Sequence, residues 1–457
     1  MRATFIFSFA ALFFSANLFG QTEDSVAIKK IVDDVLANAK AYDNLRYICK
    51  KIGPRLSGSA NAQKAVGAAF KMLKEAGADT VYLQPCMVPH WVRGEKETGY
   101  IQMANGRKAS LHLAALGNST GTGKSGVSAG VVEAGSMEEL HQLGEKALKG
   151  KIVFLNFPMD QTNINVFVSY GQSGIARWGA PTIAAKYGAV AAMVRSMAIN
   201  PDDYPHTGVT VYNDSFPKIP AVAISTNDAN WLSRQLKLKM QLKAFIQTNC
   251  QMLPDAPSFN VIGEIKGNEF PNEIITVGGH LDSWDLAEGA HDDGAGCVQS
   301  IETIRAIKAS GIKLRRTIRA VMFMNEENGG RGGSKYAELA EANREKHVFA
   351  LESDAGGFSP RTFSFENAET KFEKIISWKN LFASYGVHDF VQGYSGSDIE
   401  HLKKLGPVLC ATIPDTQRYF DIHHAATDVF ESVSRRELHL SAATMAALVY
   451  LVDKYGL

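Results

Sequence analysis

The sequence carries no excess of charge of either sign. Its 48 Lys and Arg nearly balance its 47 Asp and Glu, leaving a formal net charge of +1. No long basic stripe is visible, so nucleic acid is excluded as a partner. Cysteine is scarce: Cys49, Cys86, Cys250, Cys297 and Cys410, with no CxxC pair among them. An odd number leaves at least one thiol unpaired within the chain, even if export exposes it to oxidation. Cys297 and Cys410 lie in apolar segments and read as buried small hydrophobes. Beyond the first residues no apolar run approaches the ~20 residues of a bilayer span, so stable membrane insertion is not expected.

Two motif types are also missing. GTGKS at 121–125 imitates a phosphate-binding loop, but the Walker pattern needs glycine where Asn118 stands, and Gly117 misses by one. GYSGS and GQSGI do not fit the GxSxG elbow of serine hydrolases.

What is present is a globular composition, 45% hydrophobic and 21% charged, over 457 residues. That length exceeds one average domain and predicts a catalytic domain with an added module. Arg2 followed by the apolar run from Phe5 to Phe14 reads as a secretory signal over residues 1–20, with cleavage near Gly20. The implied location is secreted or periplasmic. No cysteine near that point suggests a lipid anchor.

Apolar spacing predicts helices over residues 26–39 and 63–75, and an extended segment over 81–92. The glycine-rich GNSTGTGKSG opens a change of texture. Short strand-like runs follow at 127–133, 151–157, 190–195 and 221–225, with a helix over 175–187. Residues 117–250 therefore read as a β-rich insert, between an N-terminal part of the catalytic domain (21–116) and its main part (251–457). Residues 251–257 read as a linker. Strands at 273–277, 316–324, 348–351 and 408–413 then alternate with helices at 294–309, 334–344 and 436–455. This alternation predicts an α/β fold, a mostly parallel central sheet with helices on both faces.

Polar residues collect where those strands end, which is where open α/β sheets bind ligands. GGHLDSWD brings His280 and Asp282; NEENGG brings Glu326 and Glu327; ESDAGG brings Asp354. GAHDDGAG adds Asp292 and Asp293, and FDIHHAATD adds His423 and His424. Histidine with carboxylate and no cysteine suits zinc or a similar divalent ion. Five candidate ligands on five loops suggest two ions sharing a carboxylate, because two neighbouring dications need negative charge between them. Of adjacent Glu326 and Glu327, one is expected to hold metal and the other to take a proton from the attacking water as general base. Asp282 is placed to hydrogen-bond or orient the His280 imidazole. Singly, each residue reads more simply as a cap or a solvated turn; their convergence on one sheet edge favours the metal centre.

These five motifs, in this order, resemble the co-catalytic zinc exopeptidases related to bacterial aminopeptidases and carboxypeptidase Q. PHWVRGE at 89–95, RWGAPTIAAKYGAVAAMVRS at 177–196 and PHTG at 205–208 make the carboxypeptidase Q branch the closer match. The resemblance runs from about residue 25 to the C-terminus. It implies a zinc exopeptidase fold with a protease-associated-type insert. It also implies two zinc ions per chain: His280 and Asp354 on one, Glu327 and His424 on the other, and Asp292 bridging. Glu326 would be the general base and Asp282 the partner of His280. His291 would not be a ligand. His423 is the alternative to His424, which stands four residues before Asp428 as the family pattern requires. The Asp282–Ser283 peptide is expected to be cis, and a homodimer is expected from relatives.

The expected substrates are dipeptides or short peptides. The alternatives are an aminopeptidase using the same chemistry, a non-catalytic receptor-like protein that has lost its ligands, and a cyclase on the same fold. Arg177, Arg195 and Arg418 could bind a substrate carboxylate, but a surface position is the favoured reading of each.

Overall fold

In the computed structural model, which describes residues 23–457, the chain builds two eight-stranded sheets. Sixteen strands carry them. The first is β1 (Thr80–Val92). Then come β2 (Thr98–Gln102), β3 (Lys108–Ser110), β4 (Leu113–Ala115), β5 (Val127–Ala134), β6 (Ile152–Leu155), β7 (Ala191–Arg195), β8 (Ala221–Ile224) and β9 (Lys243–Gln247). The last seven are β10 (Gln251–Ile265), β11 (Phe270–His280), β12 (Arg316–Phe323), β13 (Lys346–Glu352), β14 (Pro360–Glu366), β15 (Asp389–Gln392) and β16 (Val408–Pro414).

The first sheet runs β1-β10-β12-β11-β13-β16-β14-β15. Its centre, β12-β11-β13-β16, is parallel, as the strand–helix alternation predicts. Antiparallel pairings flank that centre. One face is covered by the helix over residues 23–38 and by helices Ala60–Glu75, Ala295–Ser310 and Arg435–Tyr455, which form the main core. Helix Arg331–Ala342 covers the other face through Tyr336, Ala337 and Ala340. Burial of both faces explains why the central strands read as continuous apolar runs rather than alternating ones.

The second sheet, β3-β2-β9-β5-β6-β7-β8-β4, has a parallel centre of its own, β5-β6-β7-β8. It begins at Thr98, ahead of the boundary expected at Gly117. It also carries helices on both faces, among them Met137–Leu148 and Thr226–Lys237. The helix expected over 175–187 is two, Ile175–Trp178 and Ala180–Lys186, broken at Gly179. Gly179 is a poor helix former, and Pro181 behind it fits only a helix's first turn.

Residues 251–257 are not a linker. They form the first half of β10 and pair with the outer half of β1, from Met87 to Val92. Pro254 and Pro257 conceal this strand from a propensity reading, but proline is tolerated in such peripheral pairings. Phe358, Tyr419 and Phe420 from the first-sheet half pack into the core of the second-sheet half, seating one on the other.

No helix among the described residues is long and apolar enough to cross a membrane. The five cysteines are all free and buried. The signal expected over residues 1–20 lies outside the described residues.

Candidate metal centre

β11 ends on His280, and the next two strands in the parallel centre end just before Glu326 and Asp354. The sheet thus delivers the three groups to one edge. Asp292 and His424 arrive from loops. Asp292 lies between them: its Oδ1 is 3.1 Å from His280 Nε2, and its Oδ2 is 3.0 Å from His424 Nε2. His280 Nε2 also lies 3.3 Å from Asp354 Oδ1, and His424 Nε2 lies 3.1 Å from Glu327 Oε2. The two sets of donors meet at a single carboxylate.

Backbone contacts fix these side chains. His280 Nδ1 is 3.1 Å from the Asp282 carbonyl, and His424 Nδ1 is 3.2 Å from the Thr207 carbonyl. Each carbonyl can only accept, so each Nδ1 carries a proton and Nε2 is the nitrogen turned toward the carboxylates. Asp282 therefore meets the imidazole through its main chain. Its carboxylate, 3.9 Å from Nδ1, instead accepts the N–H groups of Asn325 (2.7 Å) and Glu326 (3.1 Å). The Trp284 N–H holds Glu327 Oε1 at 3.1 Å, leaving Oε2 turned to His424. Asp428 accepts from the N–H groups of His291 (2.7 Å) and Asp292 (3.1 Å). Asp293 accepts from the His280 N–H at 3.0 Å and the Gly296 N–H at 2.9 Å.

The cis peptide falls at Asp292–Asp293, not at Asp282–Ser283. Asp292 faces the two imidazoles, and Asp293 turns to the start of helix Ala295–Ser310.

His291 is buried but takes no part in the cluster. Its ring stacks on Phe358 at 4.3 Å, its Nδ1 accepts the Gly357 N–H, and burial holds it down at about 4. His423 stacks on His424 at 3.5 Å and brings Nε2 to 3.5 Å from Asp292 Oδ2. It is the more distant of the two histidines and lacks the Glu327 contact.

Do these residues fit cations? Burial pulls the His280 imidazole down, yet Asp354, Asp292 and Glu326 outweigh it and hold it well above the usual histidine range. His424 is likewise pushed up to about 10, with Glu327 and Asp292 overcoming burial. Burial pushes Glu327 up to about 8, reinforced by Asp292, and Asp354 up to about 6. Without metal, protons must gather where the carboxylates crowd. Asp292 Oδ2 is buried against the imidazole edges of His424 and His423. Two divalent cations would displace those protons and neutralise the crowding, so the donor set fits them.

Arg177 does not lie at the surface. It is 7% exposed, against His424 of the cluster, with Nη1 3.2 Å from His424 Nδ1. Arg195 is half-buried against Asn230 at 2.8 Å, and Arg418 is exposed beside Glu437. Sequence reading also missed Thr207 and Arg55. PHTG marked the loop of the former and IGPRLSGSA that of the latter, but neither segment shows which residue it meets.

Comparison with known proteins agrees with this geometry. Residues 260–449 match peptidase family M28, a span that holds His280, Asp292, Glu327, Asp354 and His424. Carboxypeptidase Q of Bos taurus is 34% identical over 91% of this chain and 86% of its own length; the Homo sapiens protein is 33% identical over the same shares. Among solved structures, a peptidase M28 precursor from Shewanella amazonensis SB2B superimposes with a TM-score of 0.90 at 30% identity, over 95% of this chain and 97% of that one. A zinc aminopeptidase from Bacillus subtilis shares the fold, with a TM-score of 0.63 at 21% identity over 90% and 94%. Matched nearly end to end by these relatives, the chain belongs to peptidase family M28 and is a metallopeptidase.

Proposed function

We propose that the protein is an exported di-zinc exopeptidase that hydrolyses dipeptides or short peptides, as its relatives named carboxypeptidase Q suggest. The observation that carries the dinuclear reading is Asp292, whose two oxygens face two separate His–carboxylate pairs. His280 and Asp354 are the ligands on one side, Glu327 and His424 on the other, and Asp292 bridges. Zinc is favoured by the His and carboxylate set and by the zinc aminopeptidase that shares the fold.

Bound zinc supplies Lewis acidity to the peptide carbonyl and lowers the pKa of water toward ~7. The chain's own groups do the rest. Glu326 is half-buried at the rim, with its backbone N–H anchored on Asp282. Its carboxylate takes a proton from the attacking water and hands it to the departing amine. Trp284 keeps Glu327 turned away from that exchange. Asp282 holds the Glu326 backbone with one oxygen and His280 with its carbonyl, coupling base and ligand in one residue.

Export rests on the apolar run from Phe5 to Phe14 behind Arg2, and a homodimer on the resemblance to relatives. The test is a metal count joined to Glu326→Gln. Purified protein should hold about two zinc per chain, and the variant should keep them while losing nearly all dipeptide hydrolysis. Full activity in Glu326→Gln would remove Glu326 from its role. Dipeptides blocked at either end separate the carboxypeptidase-like reading from an aminopeptidase, since each needs a different free terminus.

A further inference from the structure

The second-sheet half meets His424 along the short loop at residues 206–207. The Thr207 N–H donates to the His424 carbonyl at 3.0 Å, and His424 Nδ1 lies 3.2 Å from the Thr207 carbonyl. His206 Nδ1 lies 2.6 Å from the His423 carbonyl. His424 itself has a φ of +60°, a conformation that L side chains adopt only when their surroundings impose it. Residues 206 and 207 are those surroundings.

Arg177 stands behind this loop. Nη1 donates to the Thr207 carbonyl at 3.1 Å, and Nη2 donates to the Tyr170 hydroxyl. Neither partner is a carboxylate, and Nε has no partner at all. A guanidinium has no lone pair, so it cannot accept from an imidazole. Were Arg177 to donate to His424 Nδ1, the imidazole proton would be forced onto Nε2, where the metal must bind. With the Thr207 carbonyl pinned between them, both groups donate to its two lone pairs, and Nε2 is the nitrogen left for a cation. Gly208 makes room for this arrangement: a Cβ there would lie 2.3 Å from Arg177 Cζ.

We propose that Arg177 is a positioning residue which, through the Thr207 carbonyl, sets the tautomer and orientation of His424. The second-sheet half thereby tunes the affinity of one of the two metal positions, the one shared by His424 and Glu327. This rests on the dinuclear reading above. Buried polar partners of metal ligands act in this way on affinity.

The test is stepwise chelator competition on full-length protein loaded with zinc, comparing wild type with Arg177→Gln. One zinc equivalent should loosen about 10- to 100-fold while the other stays within about twofold. Wild type that binds fewer than two equivalents would refute the dinuclear reading itself. Wild type with two, beside a variant whose two equivalents are both unchanged or equally weakened, would overturn the role of Arg177. If Arg177→Gln shows no cooperative melt, Tyr170→Phe removes a hydrogen bond from the same guanidinium. It should loosen the same single equivalent by about threefold or more, and an unselective or absent change there overturns the proposal equally.

Discussion

Arg55 donates its Nε–H to the Leu281 carbonyl at 2.6 Å, with its side chain wholly buried. Its other nitrogens reach the carbonyls of Glu288 (2.6 Å) and Gly289 (2.9 Å). One guanidinium therefore ties both ends of the loop that separates His280 from Asp292. Arg55→Ala would strand two buried acceptors and a part-buried one and leave a cavity. We expect a loss of about 3 kcal/mol or more, read as a drop in the denaturant midpoint. A change under about 1 kcal/mol would mean the loop holds itself.

Asp292→Asn keeps the size of the bridge and removes its charge. Both metal positions share that charge, so zinc content should fall from about two per chain to below about one, and hydrolysis with it. Elemental analysis after gel filtration reads this directly. Retention of both ions would show that Asp292 does not bridge.

Away from the centre, Glu345 offers a titration that metal does not complicate. Burial raises its carboxyl, but His347 and Arg319 outweigh that and bring it to about 2, below the ordinary 4.5. Arg319 Nη1 lies 2.7 Å and His347 Nε2 3.1 Å from Glu345 Oε2. A depressed carboxylate contributes stability that is complete above its unfolded pKa and lost as pH falls through the folded one. The window is therefore pH 4.5 down to about 2. Glu345 is partly solvated, so the expected contribution is about 1–2 kcal/mol. Denaturation of Glu345→Gln across that range should show a flatter pH dependence than wild type; parallel curves would refute the assignment.

All five thiols are free and buried. Burial pushes Cys49 up to about 12 and Cys86 up to about 11, far from a reactive thiolate. A thiol reagent should find essentially none in the native protein at neutral pH and all five in denaturant. Fewer than five on denaturation would reveal a disulfide.

The parallel centre of the first sheet was legible in the sequence because largely buried stretches such as AVMF of β12 and VFAL of β13 read as short apolar runs between helices. The outer pairing of β10 with β1 was not, because residues such as Pro254 and Asp255 carry no strand propensity and the register is set by the partner. The start of the second sheet was hidden for a related reason. β2 is five residues long and meets its partner β9 only after a long excursion of the chain. Among site residues, the clustered histidines and carboxylates were legible because several loops at one sheet edge carry them together, although each alone could be a cap or a solvated turn. Arg177 and Arg55 were not, since an arginine that serves backbone carbonyls leaves no pattern in its neighbours. In the sequence Asp428 only marks a spacing of four from His424, yet it holds the backbone of Asp292.

Asn118, on the second-sheet side, and Asn328, beside the paired glutamates, exchange two hydrogen bonds across the junction: Asn328 Nδ2 to Asn118 Oδ1 at 3.1 Å, and Asn118 Nδ2 to the Asn328 carbonyl at 3.2 Å. Together with Thr207 on His424, this means the smaller half is grafted into the reaction centre at two points. A chimera that replaced residues 98–247 wholesale would have to carry both stitches along. Transplanting the half as an independent cassette would misalign the very groups it never appears to contain.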